Sequence, residues 1–219
     1  PQKTRLMAEC EPHLKDSRSK GIPNIGSGAI YPVPEEEITV DDFEIPQHWK
    51  RVYGLDVGWN CTSAVFGAID PETDVVYLYS LHYQGMQEPS THVAAIRARG
   101  EWIPGVIDPA ARGRSQKDGA QLLEDYIDLG LSLIPADNSR ESGLFNVHQR
   151  LATGRLKVFR SLGPWFAEYR IYRRDEKGNV VKKKDHAMDA TRYLVVSGID
   201  VAKADLGIED QTWREFRGR

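Results

Sequence analysis

Three apolar runs follow one another with almost nothing between them: RVYGLDVG (51–58), SAVFGAID (63–70) and VVYLYSLHY (75–83). Each is short and rich in β-branched and aromatic residues, the signature of a strand. They are separated by WNCT and by PETD, a turn sequence. Connections this short leave no room for a crossover, so the three runs must form an antiparallel meander. Beyond them the pattern alternates. PSTHVAAIRARG has helical spacing, and IPGVIDPA is a short apolar strand. SQKDGAQLLEDYIDLG is an amphipathic helix stopped by Gly130, and LSLIPA is a further strand. SGLFNVHQRLATG is a helix closed by Gly154, and RLKVFRS is a short strand. EYRIYRRDEKGNVVKKK reads as a hairpin turning at Glu176–Asn179. DHAMDATRYLVVSG reads as a helix running to Gly198, with Asp185 at its N-cap. A meander followed by alternating helices and strands predicts an α/β fold, a mixed sheet with helices on its faces.

Residues 1–48 differ. GIPNIGSGAIYPVPEEEI is rich in Gly, Pro and Ser and keeps no period, so this stretch reads as an arm or linker. EEEITVDDFEIP reads as exposed, and IGSGAIYPV as a segment able to dock a short strand on a neighbouring surface. The expected organisation is an arm at 1–48, one domain at 49–200 and a tail at 201–219. The first residue is Pro rather than Met, which we read as the mark of a piece of a longer chain. No run of about eighteen apolar residues is present, so no membrane-spanning helix is expected. Cys10 and Cys61 do not make a disulfide framework, and a reducing cytoplasm fits. The net charge of −3 argues against a dedicated, strongly basic nucleic-acid binder. The charge is uneven, however. Residues 111–192 hold 16 Lys and Arg against 11 Asp and Glu, whereas residues 1–49 hold 5 against 9.

Two of the strands end in aspartate, at Asp56 and Asp108. Functional groups of α/β sheets gather where strands end and loops begin. The last helix adds Asp185, His186 and Asp189, spaced so that pairs share a face. Its other residues, Ala187, Met188, Ala190, Leu194 and Val195, are apolar, so the helix is buried and its acids point into the fold or a cleft. Each residue alone has a plainer reading. A strand-end Asp before Gly can be a turn residue, Asp185 a helix cap and His186 a hydrogen-bonded core histidine. Asp189 can pair with Arg192 three residues on. Crowded together, these carboxylates would repel one another unless their pKa values rise or a cation neutralises them. An oxygen-rich site without cysteine suits Mg²⁺ or Mn²⁺. Two such ions about 3.5–4 Å apart would clamp the oxygens of a phosphodiester cleavage.

LDVG, VIDPAARGRSQKDG and KKKDHAMDATRYL together resemble the nuclease domain of the large terminase subunit of tailed bacteriophages. The resemblance covers residues 50–198 and reaches GIPNIGSGAIYPV. That stretch resembles the segment joining ATPase to nuclease in headful-packaging relatives. It implies a ribonuclease H-like fold with an auxiliary β-hairpin and a two-metal endonuclease cutting double-stranded viral DNA during packaging. Carried over by position, Asp56 and Asp108 are catalytic acids; the third acidic position falls on the last helix, at Asp189 or one turn earlier at Asp185–His186, and Asp189 is the expected one. Asp56, Asp108, His186 and Asp189 are the expected metal ligands, with Asp185 a further one. Many relatives carry two adjacent acids where this chain has Asp185–His186. The implied partners are DNA, an ATPase domain in the same full-length chain, the small terminase subunit and the portal protein. The implied location is the cytoplasm of the infected host, transiently at the procapsid portal. No GxxxxGK[ST] motif is present, so this piece should not hydrolyse ATP.

Arg112, Arg114 and Lys117 follow Asp108, and Lys182, Lys183 and Lys184 precede the last helix. Both clusters suit backbone phosphates, which predicts little sequence specificity. Two other classes compete. DVGWNCTSAVFGAID resembles the first phosphate hairpin of actin-like phosphotransferases, but that fold needs a second hairpin, which is missing. A non-catalytic module docking on the portal would use the same acids structurally.

Overall fold

The computed structural model describes residues 28–108 and 119–205. Arg112, Arg114, Lys117 and Cys10 lie outside the described residues. In chain order the elements are α1 (Glu35–Ile38), β1 (Thr39–Val40), β2 (Lys50–Asp56), β3 (Thr62–Ile69) and β4 (Val76–Gln84). Then come α2 (Pro89–Arg97), β5 (Gly105–Ile107), α3 (Gly119–Asp128), β6 (Leu133–Pro135) and α4 (Arg140–Ala152). Last are β7 (Leu156–Phe159), α5 (Gly163–Tyr169) and α6 (His186–Tyr193). The final helix continues as a π turn, Leu194–Gly198, and a 3₁₀ turn, Ile199–Val201.

The seven strands form one mixed sheet in the order β1-β7-β4-β3-β2-β5-β6. β2, β3 and β4 are the antiparallel meander, with Asp56 opposite Ser63. β5 lies parallel to β2, β6 to β5, β7 to β4 and β1 to β7. The β3–β4 turn is made by Asp70, whose carboxylate accepts the Glu72 N–H at 2.9 Å and the Thr73 hydroxyl at 2.6 Å.

Side chains alternate across a strand, and here the alternation decides where the acids point. On β2, Tyr53 and Leu55 join Phe66, Val93, Ile96, Ile107 and Tyr126 under α2 and α3. Val52 faces the other way, into the core shared with Leu144, Val147, Trp165, Met188 and Leu194 of α4, α5, α6 and the π turn. Gly54 and Asp56 follow Val52 onto that face. Gly54 is there because α6 leaves no room for anything larger. A Cβ at this position would lie 1.9 Å from the Ala190 carbonyl oxygen and 2.9 Å from the Leu194 nitrogen. Helix and strand therefore meet backbone to backbone, and the start of α6 is brought to the end of β2.

The structure differs from the sequence reading in three segments. The acidic stretch keeps Glu36, Glu37, Asp41, Asp42 and Glu44 exposed, as expected, but it is not a loose linker: it forms α1 and the edge strand β1, with Ile38 fully buried. The chain before it docks, in line with the reading of IGSGAIYPV, as Tyr31 and Val33 are buried and Ala29 bridges Arg173. Second, α5 was not expected at all. Third, the hairpin after it is reduced among the described residues to the single bridge Arg174↔Val180. It closes a turn in which Asp175 accepts the N–H groups of Lys177 and Asn179.

Candidate functional site

Asp56 ends β2, and the adjacent parallel strand β5 delivers Asp108, whose N–H donates to the Leu55 carbonyl at 3.1 Å. By alternation Asp108 follows Val106, which packs on Tyr193 of α6. The first turn of α6 supplies His186 and Asp189. The contact that joins strand to helix is between His186 Nδ1 and Asp56 Oδ2, at 2.8 Å. A carboxylate only accepts, so Nδ1 carries the proton and Nε2 is left for another partner.

The electrostatics are those of crowded, half-dry acids. Burial, offset by the His186 hydrogen bond and reinforced by Asp189 and Asp108, pushes Asp56 up to about 6. The hydrogen bond to Asp56 raises the His186 imidazole, against the opposing effect of burial. Burial and then Asp189 raise Asp185. The Tyr193 phenol is raised by burial first and then by Asp189, with Asp108 and Asp56 adding to it, so all three acids reach one side chain.

Asp185 holds the N-cap position, but its side chain makes no capping hydrogen bond. The cap comes from Glu168 of α5, only 1% exposed. Its Oε2 accepts the Ala187 N–H at 2.6 Å and the Met188 N–H at 3.4 Å, while Oε1 accepts the Tyr83 hydroxyl at 2.7 Å. A negative side chain there also complements the positive end of the helix dipole. Burial raises the Glu168 pKa, and these hydrogen bonds oppose it. Removing the carboxylate leaves a buried N–H without an acceptor. Glu168→Ala is expected to lower the melting temperature by roughly 5 °C. Glu168→Gln, which keeps an acceptor, should lose much less. Equal losses in the two variants, read by thermal denaturation, would show that the charge matters and the acceptor does not.

Two arginines face the helical acids. Arg192, 2% exposed, meets Asp189 Oδ1 at 3.2 Å, the plainer pairing that the i,i+3 spacing offers. Arg140, at the start of α4, places Nη2 3.6 Å from Asp185 and 3.8 Å from Asp189. Among the described residues, no three acidic, histidine or cysteine side chains are drawn close enough together to enclose a metal ion. In this arrangement the arginines supply the opposing charge. The donor set nonetheless fits a hard divalent cation in kind, with carboxylate oxygens, one imidazole nitrogen and, in Asp56, an acid pushed up first by burial, with Asp189 and Asp108 adding to it. Lys182, Lys183 and Lys184 are exposed just before this site, and Lys184 is in the left-handed region at φ 54°. Sequence reading missed Glu168 and Arg140.

The family model of the terminase RNaseH-like domain matches residues 53–197. The large terminase subunit of Salmonella phage P22 is 34% identical over 200 residues, which are 88% of this chain and 40% of that protein. The chain thus spans less than half the length of that relative. The solved nuclease domain of the P22 large terminase matches with a TM-score of 0.76 at 32% identity, over 82% of this chain and 96% of that one. The nuclease domain of the bacteriophage SPP1 large terminase, solved with bound Mn, shares the fold at a TM-score of 0.57 and 17% identity. That match covers 77% of this chain and 99% of that one. With the family model spanning both strand-end acids and the whole of α6, and a solved relative covered almost end to end, the chain belongs to the terminase RNaseH-like domain family.

Proposed function

We propose that the domain is a metal-dependent endonuclease that hydrolyses phosphodiester bonds of double-stranded DNA during phage genome packaging. The observation that carries this is the Asp56–His186 contact at 2.8 Å, which unites the strand-end acids with the acidic helix on one face of the sheet. Asp56, Asp108 and Asp189 would hold the cation, Mg²⁺ or Mn²⁺, with His186 offering Nε2 and Asp185 adding charge. The SPP1 relative was solved with Mn. The cation supplies charge neutralisation for the attacked phosphate and acidifies water. The chain's own part is positional. β2 and β5 fix two carboxylates, Gly54 seats α6, and Glu168 holds its first turn. Arg140 and Arg192, which face Asp185 and Asp189, would compete with the cation for those carboxylates.

The wider setting belongs to the same proposal. An ATPase domain would precede this one in the full-length chain, and the small terminase subunit and the portal would be its partners. The work would take place in the cytoplasm of the infected host, at the procapsid portal. Lys182–Lys184, beside α6, would contact backbone phosphates, as would the basic residues after Asp108. The test is supercoiled plasmid incubated with the protein in Mn²⁺, in Mg²⁺ and in EDTA. Cleavage in either metal, abolished by EDTA, is expected. No cleavage, together with no Mn²⁺ binding by calorimetry, would return the acids to a structural role and the domain to a docking module.

A further inference from the structure

We propose that Trp59 and Met86 form a two-residue wedge that engages the nucleic-acid duplex beside the acidic site, Trp59 against a base step and Met86 beside it. The inference rests on the nuclease reading and adds a contact that reading does not contain. Trp59 is 66% exposed and Met86 69%, more than any other large apolar side chain among the described residues. They come from different loops. Trp59 lies between β2 and β3, three residues past Asp56, so its Cα is within about 11 Å of that acid's Cα. Met86 lies between β4 and α2.

The two loops are tied to each other. The Met86 N–H donates to the Trp59 carbonyl at 2.7 Å. The Thr62 hydroxyl donates to the Gly58 carbonyl at 3.2 Å. Gly85 presses so closely on its neighbour that a Cβ there would lie 2.0 Å from the Asn60 carbonyl oxygen. Met86 itself sits at φ 54°, a conformation uncommon for a residue other than glycine. Backbone hydrogen bonds, a close glycine approach and a left-handed residue thus fix a tip that points two large apolar groups into solvent.

The size and setting of the tip select the partner. A stable protein interface buries roughly 800 Å² on each side, more than two side chains on a turn provide. Apolar wedges that part base steps are small, and aromatic faces stack on any base. The exposed side chains flanking the tip include three amides suited to base edges and sugars, Asn60, Gln84 and Gln87, beside one carboxylate, Glu88. The tip is also continuous with the strand that carries Asp56.

The experiment uses the 219-residue chain and a duplex carrying one 2-aminopurine, in Ca²⁺ so that binding is read without relying on cleavage. Wild type is expected to change the 2-aminopurine emission on binding. Trp59→Ala should bind at least about fivefold more weakly and lose most of that change, while Trp59→Phe keeps most of both. Plasmid cleavage in Mn²⁺ is measured alongside. A wild type that cuts, beside a Trp59→Ala variant that binds and cuts equally well, overturns the wedge and leaves the nuclease reading standing. A wild type that neither binds nor cuts overturns both. Trp59 is exposed, so Trp59→Ala should melt within a few degrees of wild type. Should it unfold, Met86→Gln carries the same comparison.

Discussion

Asp56→Asn is expected to abolish DNA cleavage, by about 10³-fold or more, while leaving the circular dichroism spectrum unchanged. Asp108→Asn, on the adjacent strand, should do the same. The Asp56 variant carries a second expectation that a generic inactive mutant does not. Burial raises this carboxyl from 3.8 to about 6, so the folded state holds its proton more tightly than the unfolded chain does. Between pH 4 and 6 the unfolded chain releases the proton first, and the fold loses stability as pH rises. Above about pH 6 the whole cost stands, at most about 3 kcal/mol for two pH units. Asn cannot ionise and can still accept from His186. In EDTA at pH 7.5 the variant should therefore melt higher than wild type, and added Mn²⁺ should stabilise wild type but not the variant. Full cleavage by Asp56→Asn would remove the residue from the mechanism. Equal melting temperatures in EDTA would show that the buried charge is not a burden.

Gly54→Val should be the most damaging single substitution in the sheet. A Cβ at Gly54 would lie 1.9 Å from the Ala190 carbonyl oxygen, and neither partner is a side chain that can swing aside. The helix must lift from β2 or the strand must bend. Overpacking of this kind costs roughly 3 kcal/mol or more, which is a fall of about 10 °C in melting temperature for a domain of this size. The damage is also directed. Lifting α6 separates His186 from Asp56, so Mn²⁺ binding should fail even in whatever fraction remains folded. A Gly54→Val protein that melts like wild type and binds Mn²⁺ normally would mean that α6 is not seated where the structure puts it.

The meander and the last helix were legible because each carries its own local chemistry. Asp70 makes the turn that PETD announces, and Ala187, Met188, Ala190 and Leu194 mark the buried faces of α6 and the π turn that continues it. Asp56 and Asp108 could be singled out because strand ends are visible as the places where apolar runs stop. What could not be read depends on distant partners. SLGPWFAEY is too short to show a helical period, and its Gly-Pro resembles a loop, although Pro is well tolerated in the first turn of α5. Glu168 looks like a surface acid until Tyr83, 85 positions away, is set beside it. Asp185 was a sound cap by position, but the N–H groups of Ala187 and Met188 are taken by a carboxylate from another helix. The four residues of α1 are barely one turn, so the docking of Ile38 is decided by the sheet edge and not by the acids beside it.

Three consecutive residues, the last two of α5 and its C-cap Arg170, hold two different parts of the molecule. Glu168 grips the first turn of α6, the Tyr169 hydroxyl donates to the Val33 carbonyl at 2.8 Å, and Arg170 pairs with Glu35 at 2.6 Å. The segment that holds Val33 and Glu35 and the helix that carries His186 and Asp189 are therefore fastened to the same short helix and its cap. The two grips sit on neighbouring residues, so a shift of α5 would act on the segment before α1 and on the first turn of α6 together.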